Sequence, residues 1–340
     1  MTARTAMPAE TTGRPLPDIP VIETGADLAS ASLRVGMGAA EALLADASGP
    51  TPPAAIRLAD RISRAWLRRT RNPYLAEIDE VARLLGRPGA YFFNVHYEWG
   101  CTSGVKPCPR ARSARLVRVL DWHTAGLGRH IHAVRVSGNR AGDYVTMSWP
   151  GFAGVLQAMA PGRFAAALNQ APMAMPVGAM PLDWAIARWQ VWRSEHLPPA
   201  HLLRRVMETA ADYASARRML EETPVAAPAI FTLSGLKAGE GAIIERREEM
   251  ARLYDGAAFA ANSWSAPDWQ GRVRGLGNDE RVAMMRGLKG GIGLDLDWLA
   301  PPVLNPTTSL AMVAEAASGR MIARGYEADG PATADLTLEG

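Results

Sequence analysis

The hydrophobic pattern of this chain changes at one cysteine. Before it, residues 26–46 and 54–71 and the stretch YLAEIDEVARLLG have the apolar spacing of helices. After residue 114 the pattern is that of short strands separated by glycine or proline, then of two helices at 183–196 and 201–221, and then of strands again. Cys101 lies between the two regions, in YEWGCTSGV, behind an apolar stretch that predicts a strand. Because helices and strands are grouped and do not alternate regularly, the fold class is α+β with packed layers.

The composition restricts the classes of function. A chain of 340 residues with 48% hydrophobic and 21% charged residues is typical of a soluble globular protein of one large or two medium domains. The net charge of +3 is small, so no nucleic-acid partner is indicated. Two cysteines exclude a disulfide scaffold and a four-cysteine metal site. GLKGGIG lacks the Lys-Ser/Thr of a phosphate loop, and we expect neither cofactor nor metal.

The first 25 residues are rich in proline, threonine and alanine and contain no apolar run. They predict a mobile tail and no signal peptide, so we expect a cytoplasmic protein. The helix at 54–71 is basic on one side, which fits either a solvated face or peripheral contact with an anionic lipid surface.

Cys101 has two interpretations. A cysteine in a protein of this kind is often a small buried hydrophobic residue. As a nucleophile it would need a base, and none of the six histidines forms a known cysteine–histidine signature with it. Cleavage of the Gly100–Cys101 bond would supply another base, because an α-amine has a pKa of about 8. Cys108 is interpreted as a free thiol or, alternatively, as a disulfide partner of Cys101.

Several motifs resemble one family. YLAEIDEVARLLGRPGAYFFNVHYEWGCTSGV is similar to the processing site of acid ceramidase and N-acylethanolamine acid amidase, which cut themselves just before CTS. These are cysteine N-terminal-nucleophile (Ntn) hydrolases, a group that also contains bile-salt hydrolases and penicillin V acylases. RVLDW, the strand pair ending in ALN, AANSW and NDERVAMM match further family motifs, so the resemblance extends over about residues 54–326.

The resemblance implies a role for each matched position. Cys101 would be the nucleophile, Arg118 would favour its thiolate, and Asp121 would orient the freed amine. Asn169 and Asn262 would supply oxyanion-hole donors, which an acyl-transfer reaction needs because negative charge develops on oxygen. The second family arginine would be Arg281.

This chain departs from the family pattern in two motifs. Glu280 competes with Arg281 for alignment with the family's arginines, and the family aspartate after Asn262 is replaced by Trp264. Asp268 is the candidate for a displaced equivalent of that aspartate.

The implied fold is the four-layer αββα sandwich of the Ntn hydrolases with an N-terminal helical propeptide or α-subunit. Residues 1–25 would be the tail, 26–100 the α-subunit ending in a strand, and 101–340 the catalytic β-subunit, with both fragments remaining associated. The implied activity is hydrolysis of a small-molecule N-acyl amide through a Cys101 thioester. The alternatives are an acyltransferase that passes the acyl group to an amine and a non-catalytic binding protein on the same fold. The sequence leaves open whether the protein forms a homo-oligomer. Tryptophans 184, 189 and 192 would be core residues or line an acyl pocket.

Overall fold

Two β-sheets form the centre of the molecule in a computed structural model that describes residues 15–96, 98–108, 112–288 and 290–339. One sheet has eight strands in the order β1-β4-β5-β6-β7-β8-β9-β10, and the other has the order β11-β2-β3-β12-β13-β14, with β15 beside β13. The strands are β1 (Val21–Thr24), β2 (Gly100–Cys108), β3 (Ser113–Asp121), β4 (His132–Val136), β5 (Tyr144–Ser148), β6 (Gln157–Ala160), β7 (Phe164–Gln170), β8 (Ala229–Ser234), β9 (Gly241–Arg246), β10 (Ala251–Asp255), β11 (Phe259–Ala260), β12 (Thr308–Glu315), β13 (Arg320–Glu327), β14 (Gly330–Pro331) and β15 (Leu336–Leu338).

The helices cover the outer faces of the two sheets. They are α1 (Leu28–Val35), α2 (Met37–Ser48), α3 (Pro53–Arg69), α4 (Leu75–Leu85), α5 (Met180–Arg193), α6 (Pro199–Thr209), α7 (Tyr213–Glu222) and α8 (Asn278–Gly287). β2 and β3 face β7 and β8, while α6 and α7 pack on the eight-stranded sheet and α8 packs on β2 and β11. The predicted αββα layering is therefore present.

Side-chain alternation explains why the second sheet is buried on both faces. On β3, Leu116 and Leu120 belong to the core between the sheets, whereas Val117 and Val119 pack outward in a cluster that includes Met285 of α8. Successive residues of a strand point to opposite faces, so a nearly continuous apolar run is needed.

Two sequence predictions near the N-terminus are wrong. The mobile tail was predicted to reach residue 25, but Val21–Thr24 form β1, which pairs in parallel with β4 at the edge of the eight-stranded sheet. Residues 1–14 lie outside the described residues. The helix predicted over 26–46 is two helices that meet at Gly36.

The predicted strand before Cys101 is also wrong in its position. Residues 88–95 form turns, and strand pairing begins only at Gly100. The reason is Asp60 of α3, whose buried carboxylate accepts the backbone N–H groups of Gly89, Tyr91 and Phe92. A carboxylate that accepts three backbone N–H groups within four residues competes with strand pairing for them.

The basic side of α3 makes contacts within the chain. Arg64 forms an ion pair with Asp79 of α4, with 2.8 Å between Nε and Oδ1. Arg69 donates to the carbonyl oxygens of Trp192 and Ser194 at the C-terminal end of α5. Part of the basic surface of α3 therefore binds α4 and the end of α5. Contact of this surface with lipid stays a prediction.

A buried polar cluster centred on Arg204 joins the N-terminal helices to the rest of the molecule. Arg204 of α6 has an ion pair with Glu77 of α4, a second one with Glu208 (2.8 Å), and a hydrogen bond to the carbonyl oxygen of Ala26. Tyr74 donates its hydroxyl to Glu208. Arg204 is 2% exposed, so its charge depends on these partners.

Among the described residues, no single helix is long and apolar enough to cross a bilayer. Only α1 and α2 taken together reach the required length and composition, and they are bent by 101° relative to each other.

We expect Glu77→Gln to destabilise the protein by about 3 kcal/mol, because the buried Arg204 loses one of its two charged partners and keeps only the partly exposed Glu208. Urea unfolding followed by circular dichroism measures this. Glu80→Gln is the matched control on the same helix, since Glu80 forms ion pairs with Arg34 and Arg83 at the surface. Equal unfolding midpoints for both variants would contradict a stabilising role of the cluster.

Candidate active site

The register of β2 and β3 brings the predicted site residues together. Cys101 is opposite Leu120, Ser103 is opposite Arg118, and Gly100 is opposite Asp121. Directly opposed residues of an antiparallel pair project from the same face. Cys101, Ser103 and Arg118 therefore all point between the two sheets, and Asp121 lies beside the residue that precedes the cysteine.

Cys101 is completely buried in the continuous chain. Its backbone N–H donates to Oδ1 of Asn262 at 2.6 Å. Burial raises the pKa of the Cys101 thiol to about 11, against the opposing effect of the Arg118 guanidinium. Asp121 contributes to the increase in pKa, and Arg281 opposes it. The thiol is consequently protonated at neutral pH and has to lose a proton before it can act as a nucleophile.

Arg118 is a fully buried cation on the same face. Its Nη1 donates to Oδ1 of Asn169 at 2.5 Å, and its Nε donates to Oε1 of Gln157 at 3.3 Å. Nη2 is buried and has no hydrogen-bond partner among the described residues. A guanidinium with one unused donor beside a thiol is suited to stabilise a thiolate.

Asn169 on β7 connects the two sheets. Its Oδ1 also accepts from the Ser103 hydroxyl at 2.9 Å, and that hydroxyl lies 2.7 Å from the hydroxyl of Thr232 on β8. Its Nδ2 donates to the carbonyl oxygens of Ala260 and Ala261. Both amide hydrogens are thus in use in the uncut chain, and the oxyanion role of Asn169 stays a prediction.

Asp121 ends β3 and is bound by an arginine. Oδ2 accepts from Nη1 of Arg281 at 2.5 Å, and Oδ1 accepts from Asn305 at 3.0 Å and Thr308 at 2.9 Å. Burial raises the pKa of Asp121, and Arg281 and the two hydrogen bonds to Oδ1 oppose that increase. Arg281 is oriented in turn by Oδ1 of Asn278, one turn earlier on α8, at 2.9 Å.

Asn262 is held against Cys101 by the short strand β11. Phe259 of that strand packs so closely on Gly104 of β2 that a Cβ at residue 104 would lie 2.0 Å from the ring. The Asn262 backbone N–H donates to Oδ1 of Asn278, and its Nδ2 donates to the carbonyl oxygen of Gln170 at 2.7 Å. One Nδ2 hydrogen of Asn262 is therefore left for another acceptor.

The structure thus collects the predicted set around the Gly100–Cys101 bond: Cys101, Arg118, Asp121, Asn169, Asn262 and Arg281. Arg281 is buried in the site, whereas Glu280 is exposed. Asp268 pairs with Arg252 at the surface, with 2.8 Å between the two side chains, so it does not replace the missing family aspartate in the site.

Sequence reasoning missed the supporting polar residues, which are Ser103, Gln157, Thr232, Asn278, Asn305 and Thr308. Gln157 and Thr232 are polar residues inside apolar strand runs, GVLQAMA and AIFTLS, so their polarity was a usable signal. Asn278 is followed by three charged residues and carries no such signal.

A cavity of about 670 Å³ opens beside the site. Its wall contains Trp122, which directly follows Asp121, and Glu98, which lies shortly before Cys101. α2, α3 and α5 supply mostly apolar residues, including Trp184 and Trp192. Two of the three tryptophans considered for an acyl pocket therefore line a cavity, while Trp189 is 54% exposed.

The described residues contain no group of three or more histidine, cysteine, aspartate or glutamate side chains that could hold a metal ion.

Comparisons with known proteins place this geometry in a wider context. No family model matches the chain. Over 109 residues the chain is 31% identical to acid ceramidase from Homo sapiens, covering 32% of this chain and 26% of that protein. Acid ceramidase from Mus musculus matches to the same extent. The aligned stretch thus spans about a quarter of the length of these relatives.

A solved structure gives the comparison for the fold. The ortholog of N-acylethanolamine-hydrolyzing acid amidase from Caenorhabditis elegans aligns with a TM-score of 0.51 at 21% identity, covering 70% of this chain and 100% of that chain. This likeness confirms the predicted fold class.

The alternative of a Cys101–Cys108 disulfide is wrong. Both cysteines lie on the same strand, β2, and both are free. Seven residues of extended chain separate their Cα atoms by about 23 Å, whereas a disulfide requires less than about 7 Å.

We therefore expect two reactive thiols per chain after denaturation without a reducing agent, because the strand geometry prevents an internal disulfide. Titration with a chromogenic disulfide reagent in guanidinium chloride measures this number. The same titration after reduction is the control, and a larger number after reduction would contradict the geometry.

Proposed function

We propose that this chain is an Ntn hydrolase that hydrolyses the amide bond of an N-acyl substrate, a proposal supported by its fold and by its local likeness to the acid ceramidases. Acid ceramidase and the N-acylethanolamine-hydrolyzing acid amidase are its named relatives. Cys101 would be the nucleophile, once it becomes the first residue of a separate chain.

One observation carries the proposal: the bond before Cys101 lies among all the groups that its cleavage and later catalysis need. Asn262 binds the Cys101 nitrogen at 2.6 Å, and Asp121 is opposite Gly100 in the strand register. Arg118 is close enough to Cys101 to oppose the increase in the pKa of its thiol. On the same strand face, Nη2 of Arg118 has no hydrogen-bond partner among the described residues. An ordinary buried cysteine requires none of these charges, which are costly to bury.

Maturation would be self-cleavage. Sγ of Cys101 attacks the carbonyl carbon of Gly100, the thiol proton passes to the amide nitrogen, and the carbon–nitrogen bond breaks to leave a thioester. Water then hydrolyses the thioester, giving a carboxylate on Gly100 and a free amine and thiol on Cys101. The products are an α fragment of residues 1–100 and a β fragment of residues 101–340, which stay together through the Arg204 cluster.

Turnover would use the new amine as the base, because its pKa of about 8 is suited to proton transfer near neutrality. It accepts the thiol proton as Sγ attacks the acyl carbonyl, and Asp121 orients it. Asn262, with a donor at Asn169, stabilises the oxyanion. The protonated amine product leaves, and water releases the acid from the thioester. The cavity beside Trp122 would hold the acyl chain, since it is mostly apolar and has the size of a small-molecule site.

Cys101→Ala is expected to leave one uncut chain that hydrolyses no N-acyl amide, because both proposed steps need the thiol. A denaturing gel with intact-mass measurement detects cleavage, and release of fatty acid from an N-acylethanolamine measures turnover. Cys108→Ala makes the same change on the same strand outside the site, and it should process and turn over normally. Cleavage before residue 101 in Cys101→Ala would remove Cys101 from the mechanism.

Asp121→Asn is expected to lower the turnover of processed enzyme by roughly 100-fold, since the amine loses the anion that orients it. Oδ1 of the amide still accepts hydrogen bonds from Asn305 and Thr308, but the buried Arg281 loses its charged partner, so stability should fall as well. Steady-state kinetics and thermal unfolding of the same preparation separate the two effects. Unchanged turnover in a folded, processed variant would exclude Asp121 from catalysis.

A further inference from the structure

Two buried arginines of the proposed β fragment share one carboxylate of the proposed α fragment. Glu98 lies three residues before Cys101. Its Oε1 is 3.2 Å from Nη2 of Arg188 on α5, and its Oε2 pairs with Nη1 of Arg274. The arginine side chains are only 9% and 15% exposed. The carboxylate is thus held by two guanidinium groups that have little access to water.

The arginine pair lies where a substrate would meet the nucleophile. Arg188 and Glu98 both line the cavity beside the site. Arg274 precedes Gly275, whose Cα is 3.5 Å from the point where a Cβ on Gly100 would lie. The same glycine is adjacent to Asn262 and Arg281. The pair therefore extends from the apolar cavity to the bond that is cut.

Other contacts keep both arginines in place without Glu98. Arg188 lies over the ring of Trp184 at 5.2 Å, and Nε of Arg274 donates to the carbonyl oxygen of Ala171 at 2.9 Å. Neither of these contacts neutralises a positive charge. Withdrawal of Glu98 would remove the carboxylate that both guanidinium groups share, and a poorly solvated guanidinium favours binding of another anion.

We propose that Glu98 occupies, in the uncut chain, the position of an anionic group of the substrate, and that Arg188 and Arg274 select N-acyl amino acids. This inference rests on the hydrolytic function proposed above. The acyl chain lies in the apolar cavity, the amide is at Cys101, and the carboxylate of the amino-acid portion binds the arginine pair. Segment 98–100 moves away after cleavage and leaves this position to the substrate.

The test compares two substrates that differ only in charge. N-lauroylglycine carries a carboxylate, and N-lauroylglycinamide is its neutral analogue of nearly the same size. With the processed full-length protein we expect kcat/KM for the glycine compound to exceed that for the glycinamide by about 10- to 100-fold, the range of a hydrogen bond to a charged group. The difference should lie mainly in KM.

Variants assign the preference to the two arginines. Arg188→Gln and Arg274→Gln should each reduce the ratio of the two kcat/KM values to within about threefold, mainly by raising KM for the glycine compound. Arg193→Gln is the matched control, since Arg193 is an exposed arginine on the same helix as Arg188, and the preference should be unchanged. If Arg274→Gln is not processed, Arg274→Lys is used in its place. This variant keeps the positive charge and should still prefer the glycine compound to the glycinamide.

The outcomes distinguish a failure of this inference from a failure of the proposed hydrolytic function. Equal or faster hydrolysis of the glycinamide by the unmodified enzyme would overturn the arginine selection and leave the amidase function standing. A preference that survives both glutamine variants would also overturn it. If the processed protein hydrolyses neither compound nor an N-acylethanolamine, the proposed function fails and this inference fails with it.

Discussion

The guanidinium of Arg118, buried between two sheets, is the constraint on which the rest of the site depends. A cation there is tolerated only if polar groups surround it. Asn169 and Gln157 supply oxygens from the opposite sheet, and Asn169 in turn binds Ser103 and the carbonyl groups behind β11. The packing of the sheets and the position of Cys101 consequently depend on each other, because the hydrogen-bond network around the guanidinium also connects the two layers.

Most strands, and the residues that meet around Cys101, could be predicted from the sequence, and the physical reason is local. The catalytic roles of those residues stay predictions. Strands such as ARLVRVLD carry their own signal, since burial on both faces needs a continuous apolar run. Arg118 and Asp121 are recognisable because charges inside such a run are costly and therefore point to a use. The hairpin of β12 and β13 around Ser318-Gly319 was predictable for a similar reason, because strand patterns enclose a turn dipeptide.

The errors arose where distant residues override local preference. The aromatic stretch before Cys101 has the composition of a strand, but Asp60, some thirty positions earlier, captures its backbone donors. β1 has only four residues and is stabilised by an edge that forms later in the chain. Thr308 and Asn305 reach Asp121 only because β12 returns beside β3, which no motif near either residue indicates.

β1 has a further consequence. It belongs to the segment before Gly100, yet it covers the edge of the sheet formed by β4 from the segment after it. Residues 101–340 made alone would display an unpaired strand edge, the kind of surface on which chains aggregate. Synthesis as one polypeptide keeps the covering strand at high effective concentration until the sheet has closed. Under the proposed cleavage, the peptide bond at 100–101 would therefore act as an assembly tether, needed while the molecule is built and dispensable afterwards.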